Sequence, residues 1–325
     1  MNTVYVSDPI DREALAAIRA EASVLLGFGA GATPYPAVAA RVDAVLTRGL
    51  RVDRAAIDAS PRLRIIARHG VGFDGVDVVA ATERGIWVTT TPGSNAVAVA
   101  EHVFALLLEL ARGVGAADAA LRCEGRRSTA VGFELRGKRI GIVGFGAIGG
   151  RVAAIAHGFG LEVLAHDPLA SGDAIRAAGA EPLPLAALLA ASDVLTVHVP
   201  LTSSTRYLID VGAMKPGAIL VNTSRGGVVD DRAVVAAIRS GHLAGAALDV
   251  LESEHCRGVH PLAHLGSPLP DPRRLVLTPH IAGQTEQALR QTGLRAWASI
   301  QAVLAGREPA DAVNRPVRAS SSAER

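Results

Sequence analysis

The sequence predicts an α/β protein built from two doubly wound parallel sheets. Three observations lead there. Strand-like apolar runs alternate with helical patterns from end to end, the signature of βαβ units. The 325 residues exceed what one ordinary core encloses and suit two domains. Apolar residues make up 49% of the chain but aromatics only 3%, so the core is aliphatic, as in strands covered by helices on both faces.

The elements of the first domain follow in order. TVYVS (3–7), DAVLT (43–47), RIIAR (64–68) and IWVTT (86–90) read as strands. DREALAAIRAEA (11–22) reads as a helix, with Asp11 placed to accept from first-turn N–H groups. The loop HGVGFDGVD (69–77) carries Gly70, Gly72 and Gly75, whose bare backbones let N–H groups face a small ligand closely. Asp74 and Asp77 there are expected to shape the loop or cap the next helix. SNAVAVAEHVFALLLELAR (94–112) reads as a long helix with Ser94 as candidate N-cap. It is apolar nearly all round and so buried on most sides. Glu101 and His102 on it fit packing or interface hydrogen bonds.

A second α/β set runs from Arg139 to about Thr278. Leu275–Leu277 is its last short strand, stopped by Pro279. A final helix is expected over 288–306 and a disordered tail over 320–325. These readings place one domain at 1–99 plus 286–325 and the other at 100–285.

Composition narrows the function. Lys and Arg number 33 against 31 Asp and Glu, which leaves no basic footprint for nucleic acid. Cys123 and Cys256 are too few for a disulfide framework. The acidic start of the chain and the lack of a long apolar run predict neither signal peptide nor membrane span, and hence a cytoplasmic protein.

The most informative stretch is GKRIGIVGFGAIGGRVAAIAHGFGLEVLAHDP (137–168). Arg139 to Val143 reads as a strand. Gly144, Gly146 and Gly149 have the G-x-G-x-x-G spacing, followed by a helix over 148–158 and a second strand ending at Asp167. Gly144 makes the tight turn, Gly146 admits a pyrophosphate, and Gly149 lets helix and strand pack closely. The helix N-terminus brings N–H donors and partial positive charge to the phosphates. Asp167, 18 residues after Gly149, can accept from both ribose hydroxyls. Its charge would repel a 2′-phosphate, so NAD is expected over NADP.

Seven segments in one order carry a resemblance: RHGVGFDGVD, GIWVTTTPGSNAVAVAEH, GIVGFGAIG, HVPLTSSTRYLI, VNTSRGGVVDDRAV, GAALDVLESE and LTPHIAG. Together they resemble the D-isomer-specific 2-hydroxyacid dehydrogenases, from about residue 40 to 306. The resemblance implies a flavodoxin-like substrate domain and a Rossmann NAD-binding domain with a cleft between them. It implies a catalytic set of Arg225, Glu254 and His280. It also implies backbone N–H donors to the substrate carboxylate at Val71 and Gly72, and a lesser substrate contact at Arg48. Cofactor contacts are implied at Gly144, Gly146, Ala147, Ile148, Gly149, Asp167, Val199, Pro200, Thr205, Thr223, Ser224, Arg225, Asp249, His280 and Gly283. A homodimer is implied, with helix 94–112 at or near its interface.

The chain departs from the family pattern in places. Pro usually follows the catalytic Glu; here His255 does, which makes Glu252 a rival to Glu254. Arg126 stands where many members place Trp, and with Arg127 could bring charge to a more anionic acid. The family's additional regulatory domains are not expected after the last helix. His255, Cys256, His260 and His264 invite a zinc reading, but Pro261 interrupts the pair at helical spacing and no metal is expected.

Hydride transfer to a 2-keto acid explains these residue types. A guanidinium such as Arg225 holds a carboxylate and polarises the carbonyl as charge builds on its oxygen. A histidine such as His280 protonates the new alkoxide, and a nearby carboxylate favours its imidazolium and fixes its ring. The alternative is an NAD(H)-sensing binding or corepressor-like protein on the same fold, because fold does not fix function.

Overall fold

The structure, a computed structural model, describes residues 1–125, 130–253, 265, 270–271 and 273–316. In chain order the strands are β1 (Thr3–Val6), β2 (Ser23–Leu26), β3 (Ala44–Thr47), β4 (Ile65–Arg68), β5 (Trp87–Thr89), β6 (Arg139–Val143), β7 (Glu162–His166), β8 (Glu181–Pro182), β9 (Val194–Val197), β10 (Ala218–Asn222), β11 (Leu243–Leu248) and β12 (Leu275–Leu277). The helices are α1 (Arg12–Glu21), α2 (Arg54–Asp58), α3 (Val78–Glu83), α4 (Ala96–Arg112), α5 (Val114–Glu124), α6 (Ala147–Gly158), α7 (Gly172–Ala177), α8 (Leu185–Ala191), α9 (Asp231–Ser240) and α10 (Glu286–Leu304). They form two compact units: Met1–Asn95 with Gln284–Arg325, and Ala96–Gly283.

In the first unit the strand order is β2-β1-β3-β4-β5, and every pair is parallel. Side chains alternate by the strand period of two. Val4, Val6, Leu46, Ile65 and Ala67 face Ile18 of α1 and Trp297 and Ile300 of α10. Tyr5, Val45, Ile66 and Val88 face the opposite layer with Tyr35, Ile57 and Ala80. Asp11 caps α1 through the N–H groups of Glu13 and Ala14, and Asp77 caps α3 through Ala80.

In the second unit the order is β12-β11-β10-β9-β6-β7-β8, again all parallel. Ile140, Ile142, Val194 and Val221 meet Val103 and Leu107 of α4 and Val152 of α6 on one face. Leu195, Val197, Leu220 and Leu248 meet Leu188 of α8 and Val234 and Ile238 of α9 on the other. The chain leaves β6 towards β7 and β8, then returns to β9 on the far side of β6. Turns at the carboxyl ends of β6 and β9 therefore flank the point where the winding reverses, the usual ligand position in such sheets.

Two features differ from expectation. Ser94 does not cap the long helix: among the described residues, its Oγ and Asn95 Oδ1 are buried without a hydrogen-bond partner. The helix starts at Ala96, so the break between units precedes it. Helix α4 packs against α6 and the β10–β12 side of its own unit's sheet and leaves Val97 exposed. The neighbouring helix α5 has no buried residue and exposes Val114 and Leu121. Among the described residues, no helix is long and apolar enough to cross a membrane.

Candidate active site

The turn after β6 explains its glycines one by one. Gly144 has φ +93°, and its N–H donates to His166 O at 2.8 Å. A Cβ there would lie 2.9 Å from the His198 carbonyl. Gly146 precedes α6, and a Cβ on it would meet nothing within 4 Å, so the outer side of the loop is open. Gly149 lies in the first turn of α6, where a Cβ would fall 2.2 Å from Gly144 O and 3.2 Å from Ile142 Cγ2. Only hydrogen fits there. No side chain caps α6, and Ala147 and Ile148 form its start. An open notch before an uncapped helix N-terminus has the shape and polarity that a pyrophosphate requires. These residues therefore fit a dinucleotide.

Asp167 follows β7. Its Oδ2 accepts from Phe145 N at 2.7 Å and its Oδ1 from Leu169 N at 2.8 Å. The carboxylate thus braces the glycine loop and keeps acceptor capacity on both oxygens for ribose hydroxyls. After β9, Val199 packs beside Gly144. Thr205 folds the following loop by donating to Pro200 O at 2.6 Å and accepting from Thr202 N at 2.7 Å. His198, between β9 and Val199, was missed by sequence reasoning. Its Nε2 lies 2.9 Å from Thr196 Oγ1, and its buried Nδ1 has no partner among the described residues. Burial pushes its pKa down to about 3.

The turn after β10 carries Thr223, Ser224 and Arg225. It is folded by the fully buried Asn222, whose Oδ1 accepts from Ser224 N and Oγ and whose Nδ2 donates to Arg225 O. Arg225 Nη1 donates to Ser224 O at 2.6 Å. Gly226 lets this turn pass close to Leu251, since a Cβ would sit 2.2 Å from the Leu251 carbonyl carbon. Thr223 Oγ1 is buried with no partner among the described residues.

The turn after β12 carries His280, which is exposed and has φ +54°, a conformation that side-chain-bearing residues rarely adopt. Asp249, at the end of β11, holds it there. His280 N donates to Asp249 O at 2.9 Å. The buried Asp249 carboxylate accepts from Thr278 Oγ1 (2.6 Å), Ile281 N (2.8 Å) and Ala282 N (2.9 Å). His102 Nε2 of α4 lies 3.6 Å from Asp249 Oδ1 and 3.3 Å from Thr278 Oγ1. Burial alone would raise the Asp249 pKa. The hydrogen bonds of His102, Thr278, Ala282 and Ile281 outweigh it and leave the carboxyl below its ordinary value. Gly283 closes this turn.

The structure brings the cofactor positions, Arg225 and His280 to one carboxyl edge of one sheet, on turns that follow β6, β7, β9, β10, β11 and β12. Glu254 lies outside the described residues, as do Arg126, Arg127, His255, Cys256, His260 and His264. Glu252, the rival carboxylate, is engaged elsewhere: its Oε1 accepts from the Tyr207 hydroxyl (2.7 Å) and Arg206 Nη2 (3.2 Å). Among the described residues no cluster of His, Cys, Asp or Glu could hold a metal ion.

Arg48, Val71 and Gly72 belong to the first unit, at the carboxyl ends of β3 and β4. Asp8 accepts from Arg48 N (3.1 Å) and Gly49 N (2.9 Å) and so shapes the first turn. Arg68, which sequence reasoning passed over, donates from Nε to Gly72 O at 2.8 Å and braces the second. His69 beside it is buried. Desolvation, then the Arg48 charge, lowers its pKa to about 4.

The sequence pattern described as D-isomer specific 2-hydroxyacid dehydrogenase, NAD binding domain, matches residues 104–282. The chain is 40% identical over 316 residues to the D-3-phosphoglycerate dehydrogenase of Mycobacterium leprae, covering 96% of this chain and 58% of that protein. It therefore spans little more than half the length of that relative. It is 41% identical over 278 residues to the glyoxylate reductase of Aeropyrum pernix, covering 82% of this chain and 81% of that one. Among solved structures, a D-lactate dehydrogenase from Aquifex aeolicus in complex with NAD and lactic acid aligns with TM-score 0.80 and 27% identity, covering 94% of this chain and 96% of that one. The chain belongs to the D-isomer specific 2-hydroxyacid dehydrogenase family, and its seven-stranded unit is the family's NAD-binding domain.

Proposed function

We propose that the protein is an NAD-dependent D-2-hydroxyacid dehydrogenase that works as a 2-keto acid reductase. The observation that carries this reading is His280 held at positive φ by a buried carboxylate, on the sheet edge that also bears the glycine notch. Strain of about 1–3 kcal/mol persists where the surroundings over-determine it, and it clusters at sites of chemistry.

Each residue takes a role in the proposal. Gly144, Gly146, Ala147, Ile148 and Gly149 cradle the pyrophosphate, and Asp167 takes the ribose hydroxyls. Val199, Pro200, Thr205, Thr223, Ser224, Asp249 and Gly283 line the rest of the dinucleotide. When bound, NADH supplies the hydride equivalent. Arg225 holds the substrate carboxylate and polarises its carbonyl oxygen. His280 gives a proton to the C2 oxygen, and takes it back in the oxidation direction. Glu254 orients the imidazole. Val71 and Gly72 offer backbone N–H groups to the substrate carboxylate, and Arg48 makes a lesser substrate contact.

The relatives' names make 3-phosphohydroxypyruvate, glyoxylate and pyruvate the first substrates to try, with hydroxypyruvate beside them. Loss of NADH absorbance with this panel is the test, run in parallel with NADPH. Turnover with NADH on at least one acid is expected. No turnover on a wide panel of 2-keto acids would sink the reading, and a preference for NADPH would overturn the role of Asp167. We also infer a cytoplasmic homodimer. Its interface is placed at or near helix 94–112; the exposed Val114 and Leu121 on the adjoining α5 support self-association beside it, and a monomer by light scattering would refute it.

A further inference from the structure

His102 has no part in the roles above, yet it touches the turn that presents His280. It stands on α4, which is packed along its length against α6 and the β10–β12 side of the sheet. Its Nε2 lies 3.3 Å from Thr278 Oγ1 and 3.6 Å from Asp249 Oδ1. The Thr278 hydroxyl spends its hydrogen on Asp249 Oδ1 at 2.6 Å, so towards His102 it offers a lone pair. The assignment that satisfies all three groups is a chain: His102 N–H donates to Thr278, and Thr278 O–H donates to Asp249.

Asp249 is the template of the turn. Its carboxylate fixes Ile281 N and Ala282 N, and its main-chain oxygen fixes His280 N. His280 at φ +54° would relax towards an ordinary backbone conformation if these bonds loosened. Two of the bonds depend on a carboxylate that is 1% exposed and so cannot draw on water to stay oriented. Among the described residues, His102 is the contact shown that joins this network to a helix. Among the described residues, the other partners of the carboxylate, Thr278, Ile281 and Ala282, belong to the turn itself or its approach.

The geometry points to His102 as a positioning residue for His280, acting through Thr278 and Asp249. This rests on the reading of His280 as the acid/base group. His102 locks the carboxylate from a rigid helix, and the carboxylate locks the turn. What it contributes is a donor at the reach of Nε2, rather than volume or polarity alone.

Three variants of the full chain separate these possibilities. His102→Phe keeps the ring and loses the donor. His102→Gln carries an amide N–H at about the reach of Nε2. His102→Asn is equally polar but one methylene short. The readouts are kcat and KM on the best keto acid, the NADH Kd by fluorescence, and amide hydrogen exchange of the peptide spanning 278–283. Phe and Asn should lower kcat on the order of tenfold to a hundredfold, the scale of a small misplacement of a reacting group. The same two variants should speed exchange at Ile281 and Ala282 about tenfold. Gln should recover most of both, and NADH Kd should stay within about twofold throughout. Wild-type exchange in Phe, Gln no better than Asn, or NADH affinity lost in step with kcat would each overturn the proposal. His280→Ala separates the underlying reading: if it turns over like wild type, the acid/base role falls. The exchange data still decide whether His102 holds the turn.

Discussion

The two sheets both end their strands in tight turns at one edge, but the turns are distorted at different kinds of residue. In the first unit, Gly70 opens the turn after β4 with φ +143°, and Arg68 braces it through Gly72 O. In the second, the turn after β12 places the distortion on His280 itself. A turn that only has to offer N–H groups can use glycine and needs little support. A turn that has to offer an imidazole cannot, and must be tied down. The buried Asp249 is that tie, with three side-chain acceptor bonds and one from its main chain. In the proposed roles, the contrast separates a backbone that recognises from a side chain that reacts.

Deleting the imidazole tests that contrast most directly. His280→Ala should lower kcat by about a hundredfold to ten-thousandfold, the usual worth of a positioned acid/base, with NADH affinity unchanged. Steady-state kinetics beside an NADH titration decide it. His280→Gly sharpens the point. It should lower turnover equally while raising stability by about 1 kcal/mol, because glycine tolerates the positive φ. A variant that is both less active and less stable would mean that the turn is not strained.

The units can also be set against each other by acid. Each contains a buried histidine kept neutral: His69 in the first, with a pKa near 4 from burial and then the Arg48 charge, and His198 in the second, near 3 from burial. In the unfolded chain both titrate near 6.5. Below that pH the unfolded state takes up protons that the folded state refuses. Stability is therefore complete above pH 6.5 and falls as pH drops towards 4, by about 1.4 kcal/mol per pH unit for each histidine. Both tryptophans, Trp87 and Trp297, lie in the first unit and report on it alone. His69→Phe should flatten the acid limb of denaturant melts followed by tryptophan fluorescence. His198→Phe should flatten it only in melts followed by circular dichroism. Identical responses from the two probes would show that the units unfold together.

Much of the fold was legible because its signals are local. Arg139–Val143 and Leu275–Leu277 coincide with β6 and β12. Strand β2 was not read: its short apolar run, Val24–Leu26, follows α1 after a single residue and merges with the apolar positions of that helix. Helix α5 buries nothing and has no apolar stripe facing a core. In the site, the glycine turn was legible for the same local reason. The anchoring by Asp249 was not, because it joins residues from β11, β12 and α4 that only the sheet order brings together. The same holds for Asp167, whose link to Phe145 N spans two strands.

The glycine notch gives a smaller and cleaner pair. Gly149→Ala drives a Cβ into Gly144 O and should cost about 1–3 kcal/mol, the range for overpacking, whether or not NADH is present. Gly146→Ala meets open space and should leave the melt of the free protein within about 0.5 kcal/mol. It should still weaken NADH, because the methyl group fills the notch. Thermal melts with and without NADH separate the two. If Gly146→Ala kept full NADH affinity, the pyrophosphate would have to lie elsewhere.

The smallest effect belongs to the turn proposed only to recognise. Arg68 Nε donates to Gly72 O at 2.8 Å and so fixes the plane of the Gly72–Phe73 peptide. Arg68→Leu frees that plane without touching the acid/base turn. KM for the keto acid should rise about tenfold, or about 1.4 kcal/mol, while kcat and NADH Kd stay put. Arg68→Lys should not restore it, because the bond uses the fixed fork of a guanidinium, which a flexible ammonium does not reproduce. A change in KM alone is the mark of binding that is equal in ground and transition states. If kcat fell together with KM, the glycine turn would be tightening on the substrate during the reaction. The division between a recognising edge and a reacting edge would then fail at its first-unit end.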